Sequence, residues 1–95
     1  MKFRRTPKFK EDYSNLSEAD RIAVDNAFNN VSLALQGNNQ LQKYFSLHKM
    51  EGRHEIWEGH VKQNLCFTFY FTRDDTGEKV CFFRRIGTHD IYKAP

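Results

Sequence analysis

The stretch that decides the fold is IWEGHVKQNLCFTFYFTRDDTGEKVCFFRRI, residues 56–86. It holds three runs, about 56–62, 65–72 and 79–86, in which apolar and other residues alternate and aromatic residues are frequent. Lys62-Gln63-Asn64 and Asp74-Asp75-Thr76-Gly77 separate the runs. Asn, Asp and Gly are turn residues, because they satisfy backbone groups locally or accept positive φ. Three strands joined by two hairpins follow. Centring the first hairpin on Gln63 sets Val61 opposite Leu65, His60 opposite Cys66 and Glu58 opposite Thr68. Centring the second on Asp75 and Thr76 sets Tyr70 opposite Cys81, Thr68 opposite Phe83 and Cys66 opposite Arg85. A one-residue slip would turn a strand's apolar set to the wrong side, so the two pairings must agree.

They agree on two faces. Trp57, Val61, Leu65, Phe67, Phe69, Phe71, Val80, Phe82 and Ile86 form the expected core face. Each large side chain buried there contributes about 1.5–3 kcal/mol. Ile56, Glu58, His60, Lys62, Cys66, Thr68, Tyr70, Phe83 and Arg85 form the expected open face. Cys66 and Cys81 then lie roughly 13 Å apart along the sheet, too far for a disulfide. Both are read as reduced thiols.

Upstream, Lys2-Phe3-Arg4-Arg5-Thr6 is a short strand candidate stopped by Pro7, which suits the first turn of a helix over roughly 7–15. Ser17-Glu18-Ala19-Asp20 has an acid three residues after a capping Ser. Behind it Ala23, Ala27, Phe28, Val31, Ala34 and Leu35 recur at helical spacing, and Gly37 ends that helix near Gln36. Residues 38–55 carry no clear period. Leu41, Tyr44, Phe45, Leu47 and Met50 are expected to be partly buried, with a turn at Gly52. The expected fold is a single small α+β domain over 1–95, ordered β-α-α-β-β-β. An N-terminal helical hairpin packs on one face of a mainly antiparallel sheet.

Composition supports a globular chain. It has 95 residues, 39% hydrophobic and 28% charged, with 9 Phe, 4 Tyr and 1 Trp, too aromatic for a disordered polymer. No apolar run approaches the roughly 20 residues of a membrane span. The charged N-terminus has no apolar stretch behind it, so no signal peptide is expected and the expected location is cytoplasmic. The net charge of +3 favours polyanions only weakly. Its distribution is more telling: Lys2, Arg4, Arg5, Lys8 and Lys10 crowd the first ten residues, and four acids follow in the next ten.

His60, Cys66 and Arg85 are expected in one row on the open face, with Glu58 one pleat away. Glu, His and Arg together can perform phosphoryl transfer on RNA. A base takes the 2′-hydroxyl proton, an acid protonates the leaving 5′-oxygen, and a cation steadies the phosphate. A solvated sheet face that keeps an uncovered surface soluble would look the same. Beyond Gly87, His89 and Tyr92 can fold back over that face, Tyr92 offering a ring for an unpaired base. Alternatively His89 is a turn residue and Tyr92 a C-terminal anchor. His48, His54, His60 and His89 lack the close spacing of local metal motifs, and neither Cys is in a CxxC pair, so no metal or other cofactor is expected.

Thr6-Pro7-Lys8-Phe9-Lys10, Leu47-His48-Lys49-Met50-Glu51-Gly52, Ile56-Trp57-Glu58-Gly59-His60-Val61 and Arg85-Ile86-Gly87-Thr88-His89-Asp90-Ile91-Tyr92 occur here in an order and spacing that resembles the RelE/ParE superfamily. These are toxins of bacterial type II toxin–antitoxin modules, and the resemblance covers nearly the whole chain. It implies a metal-independent endoribonuclease that cuts mRNA on the ribosome, with its catalytic groups on the open face. His60 and His89 match the branch that relies on paired histidines. Glu58, Arg85 and Tyr92 complete the implied catalytic set, with Arg85 steadying the phosphate. Cys66 stands where many RelE members carry an Arg. Lys49, Lys62, Lys2, Arg4, Arg5, Lys8 and Lys10 are the implied RNA contacts. The implied partners are a cognate antitoxin, the ribosome and mRNA, but no membrane, for a toxin monomeric on its own. Alternatives on the same fold are a ParE-like, non-catalytic inhibitor of DNA gyrase and an inactive binding module.

Overall fold

The computed structural model describes all residues, 1–95. Strand β1 (Lys2–Arg5) leads into helix α1 (Pro7–Ser14), then α2 (Glu18–Leu35) and the short α3 (Asn39–Tyr44). Strands β2 (His48–Lys49), β3 (Trp57–Lys62), β4 (Leu65–Arg73) and β5 (Lys79–Gly87) follow, and a 3-10 helix spans His89–Lys93. One five-stranded sheet runs in the order β1-β5-β4-β3-β2. The β1–β5 pair is parallel and the other pairs are antiparallel. The expected six elements are all present. Helix α3 and strand β2 are additions, drawn from the stretch without a clear period. No helix is long and apolar enough to cross a membrane.

The helix starts follow from local chemistry. Thr6 Oγ1 accepts from Phe9 N, with Pro7 at the first helical position of α1, where its missing N–H costs nothing. Ser17 Oγ accepts from Asp20 N, and Glu18 and Asp20 place negative charge at the positive end of α2. Gly37, at φ +117°, takes the chain out of α2, and Asn38 then caps α3 through Leu41 N.

The helices cover one sheet face. Phe9 of α1, Val24, Val31 and Ala34 of α2, and Phe45 pack on Leu65, Phe67, Phe69, Cys81, Phe83 and Ile86. Phe28 lies with its ring 4.9 Å from Phe83 and 5.3 Å from Phe67. The first hairpin has the expected pairing at Glu58–Thr68 and His60–Cys66, but an irregularity between His60 and Lys62 sets Lys62, not the expected Val61, opposite Leu65. The second is displaced by one residue. Phe71, not Tyr70, faces Cys81, and Phe69 faces Phe83. Phe83 is therefore in the core, while Phe82 stacks on Tyr70 on the opposite face at 5.3 Å and 10°. A bulge between Thr68 and Phe69 then inserts Arg84, so Ile86 returns to the core side as expected. The bulge also sets Arg85 opposite Thr68 and Gly87 opposite Cys66, so the expected Arg85–Cys66 pairing is not formed. Tyr44 is 74% exposed rather than partly buried, and its neighbour Phe45 takes the core position. Cys66 and Cys81 are both buried free thiols.

Candidate functional site

The face opposite the helices is only partly open. From Gly87 the chain doubles back over β4, and Thr88 Oγ1 caps the 3-10 helix by accepting from Asp90 N. The end of the tail is pinned to the sheet: Pro95 O accepts from Thr68 Oγ1 and from Arg84 Nε, both at 3.0 Å. Thr68 and Cys66 are consequently fully buried, although they belong to the polar face.

This fold-back brings two imidazoles together. The ring of His60, on β3, lies 5.8 Å from the ring of His89, at the start of the 3-10 helix. The Tyr92 ring meets that of His89 edge-on, at 5.5 Å and 74°. Tyr92 Oη is 3.5 Å from His60 Nε2, and Cys66 Sγ is 3.6 Å from His60 Nδ1. One donor atom from each of His60, Cys66 and His89 falls within 4.8 Å of the others. Burial raises the Cys66 thiol, a shift opposed by the Tyr92 hydroxyl. Burial, then Cys66 and Glu58, hold the Tyr92 phenol well above its ordinary range. The phenol therefore stays protonated and is available as a donor. A shallow cavity lined by Tyr44, Ser46, His60, Val61, Lys62 and Gln63 opens beside His60.

The backbone fixes each imidazole. His60 N donates to Phe45 O at 2.8 Å, outside the sheet ladder, and the β3–β4 register shifts just beyond, between His60 and Lys62. Gly59 precedes it in a tight place: a Cβ there would stand 2.5 Å from Leu47 Cδ2 and from Phe67 Cζ. His89 is held by Asn64, at φ +59° in the β3–β4 turn. Asn64 Oδ1 lies 3.0 Å from His89 Nδ1 and 3.5 Å from His89 N. A backbone N–H can only donate, so the amide oxygen faces both atoms. His89 Nδ1 must then carry its proton, and Nε2 is the atom left for chemistry.

Glu58 is paired rather than free. Its Oε1 lies 2.6 Å from His48 Nε2 across the β2–β3 ladder, where the two residues are register partners. His48 and Asn64 are the residues that sequence reasoning missed as parts of the site. The only available signals were the position of Asn64 in a hairpin turn and that of His48 before the first hairpin.

Arg85 is also engaged. Asp12 receives its Nε at 2.6 Å and its Nη2 at 3.2 Å, and Ala94 O receives its Nη1 at 2.8 Å. Its guanidinium ties α1 to the tail. The remaining cations are spread around the sheet. Lys2 pairs with Asp74 at 2.6 Å, Lys62 with Asp20 at 2.8 Å, Lys8 with Glu11 at 3.4 Å and Lys49 with Glu55 at 3.9 Å. The Arg5 guanidinium lies over the rings of Phe9, Tyr13 and Phe28. Arg4 donates to Phe3 O, and Arg4, Arg5 and Lys10 rim a cavity floored by Phe3, Phe28 and Phe83 at the β1 edge.

Solved toxins share this architecture. A YoeB/ParE toxin from Agrobacterium tumefaciens aligns with a TM-score of 0.61 at 15% identity, covering 94% of this chain and 99% of that one. A copper-bound mutant toxin from Helicobacter pylori gives 0.59 at 19% identity, covering 95% and 96%. A chain of the Escherichia coli DinJ–YafQ complex gives 0.58 at 16% identity, covering 93% and 92%. At such identities the likeness shows the fold alone, and it bears out the RelE-like architecture. No curated protein sequence matches the chain. The family model described as the bacterial toxin of the type II toxin–antitoxin system, YafQ, matches residues 1–93, and the chain therefore belongs to the YafQ family of bacterial type II toxins.

Proposed function

We propose that this toxin is a metal-independent endoribonuclease that cuts mRNA on the ribosome, in the cytoplasm, with His60 and His89 as its proton-transfer pair. The observation that carries this reading is the approach of the two imidazoles to 5.8 Å on the polar sheet face. Cleavage by the substrate's own 2′-hydroxyl is an in-line displacement at phosphorus. One group removes the 2′-hydroxyl proton as the 2′-oxygen–phosphorus bond forms. A second protonates the 5′-oxygen as its bond to phosphorus breaks. The two groups must flank one phosphate, and imidazole can serve in either capacity. The nucleophile comes with the RNA, so the reaction needs no metal-activated water.

The other site residues support the pair. Asn64 fixes the His89 tautomer that leaves Nε2 for the substrate. The Tyr92 hydroxyl, kept protonated, orients His60 and can donate to a phosphate oxygen, while its ring is the surface offered for stacking by an unpaired base. Glu58 with His48 forms an acid–imidazole couple at the β2 edge that orients the polar face. With Arg85 already bidentate to Asp12, its charge reaches the phosphate only as a background field. Lys62, which lines the cavity beside His60, and Lys49, whose ammonium lies 5.8 Å over the Trp57 ring, join Lys2, Arg4, Arg5, Lys8 and Lys10 in supplying salt-sensitive contacts to RNA phosphates. A cognate antitoxin, of the kind present in the DinJ–YafQ complex, is the expected partner of an otherwise monomeric toxin.

The test is inducible expression followed by primer extension on a defined transcript. Cuts phased with codons, present only when the transcript is translated, support the reading. Intact mRNA with arrested replication would instead establish the gyrase-directed alternative.

A further inference from the structure

We propose that His60, Cys66 and His89 form a three-ligand site for a thiophilic cation of the Zn2+ class, on the very face that carries the imidazole pair. Three strands of argument support it. The donors converge from separate elements, β3, β4 and the 3-10 helix, with one donor atom of each inside a 4.8 Å span. The His60 Nδ1–Cys66 Sγ separation of 3.6 Å already equals what a tetrahedral ion requires. Bonds of about 2.0–2.1 Å to nitrogen and 2.3 Å to sulfur put those two ligands roughly 3.6 Å apart. The third ligand therefore needs a side-chain movement of about 1 Å, not a rearrangement of the sheet.

Both imidazoles also have outer partners of the kind that metal-binding histidines use. Asn64 Oδ1 takes the Nδ1–H of His89 and leaves Nε2 to coordinate. Tyr92 Oη sits 3.5 Å from His60 Nε2 and leaves Nδ1 toward the thiol. The set is two imidazoles and one sulfur with no carboxylate, which selects zinc or copper(I) over magnesium or calcium. Cys66 closes the site from beneath, being buried, while His89 is exposed and gives the ion a way in and a fourth position for water. On binding, the Sγ–H bond breaks, a sulfur–metal bond forms, and the proton leaves to solvent.

Occupancy would hold both imidazoles at once and block the phosphate's seat. That consequence, unlike the site itself, rests on the ribonuclease reading. The spacing rules missed the site because its ligands are neighbours across strands, not along the chain.

The experiment titrates the full chain with Zn2+ alone against a chromophoric chelator under a non-thiol reductant. Co2+ substitution then reports thiolate coordination by its charge-transfer absorption. One equivalent is expected to bind, and His89→Gln and Cys66→Ser are each expected to weaken binding by at least about tenfold, the scale of losing a metal-site contact. His54→Gln, at a 93% exposed side chain outside the cluster, is expected to bind as the parent does. Absence of stoichiometric binding, or binding unchanged in both His89→Gln and Cys66→Ser, overturns the site. His89→Gln keeps this falsifiable even if Cys66→Ser fails to fold, because His89 is a surface residue. The same samples are assayed for transcript cleavage. Zinc-saturated protein that still cuts overturns the block. Metal-free protein that never cuts, yet binds zinc through these residues, sinks the ribonuclease reading and leaves the site standing.

Discussion

His60 and His89 come from a sheet strand and from a C-terminal turn of helix, yet their rings stand 5.8 Å apart. If they are the base and acid of one displacement, each is needed in every turnover. His60→Gln and His89→Gln are each expected to slow cleavage by about 10²–10⁴-fold, the usual worth of a positioned proton-transfer group. The double variant should lose little beyond the worse single one, because a broken relay cannot be broken twice. Far-ultraviolet dichroism should match the parent in all three. A double variant that cuts at the parental rate would remove both histidines from the mechanism.

How far the sequence carried this site depends on particular residues. The first hairpin was legible as far as His60 because Gln63-Asn64 is a short turn between runs of alternating apolar residues, while the shift that sets Lys62 opposite Leu65 beside the turn was not. The pairing of His60 with Cys66 followed directly. The second hairpin was not, because Phe82 and Phe83 are adjacent and equally apolar, so alternation cannot choose between them. A bulge at Arg84 then restores Ile86, and bulges leave no period in a sequence. Residues 38–55 were illegible for another reason. Helix α3 has six residues and β2 has two, both shorter than the window in which periodicity shows. His48 was lost with them. Fold-back of the tail was legible from Gly87, but its anchor was not, since the Asp12–Arg85 pair joins residues far apart in sequence.

That pair gives a stability prediction. Asp12 accepts from Arg85 Nε and Nη2 and from Ile86 N, and both side chains are less than a fifth exposed. Asp12→Ala removes three acceptor contacts and leaves a half-buried guanidinium with Ala94 O alone. The expected loss is about 2–3 kcal/mol in urea unfolding. Arg85→Lys should recover little, because an ammonium cannot reproduce the two-pronged contact. A loss for Asp12→Ala no larger than an exposed ion pair gives, under about 0.5 kcal/mol, would show that the tail is held elsewhere.

Gly59→Ala tests how tightly the His60 strand is seated. The added methyl would approach Leu47 Cδ2 and Phe67 Cζ at 2.5 Å, and Phe67 is fully buried in the aromatic core. Overpacking of this kind costs about 1–3 kcal/mol. The strain falls between Glu58 and His60, so activity should fall together with stability rather than after it. The check is a denaturant midpoint beside a cleavage rate at a temperature where the variant is still folded. A variant as stable as the parent would mean that Leu47 moves aside freely.

Cys81 predicts the alkaline limb of the stability curve. Burial pushes its thiol up from 9.0 to about 12. Below pH 9 the thiol is protonated in both folded and unfolded chains, and stability is unaffected. Above it the unfolded chain sheds the proton while the folded one keeps it, so stability falls as pH rises. The loss approaches about 1.4 kcal/mol per pH unit until the folded thiol itself titrates. Cys66, whose thiol burial also raises, acts in the same direction. Urea unfolding at successive pH values from 9 to about 11 should show this decline, a range inside the window between the two thiol values. Cys81→Ala should flatten it, whatever its effect on stability at neutral pH. An equal slope in parent and variant would mean that water reaches the Cys81 sulfur in the native protein, and that the core cluster holding it opens far more often than its burial implies.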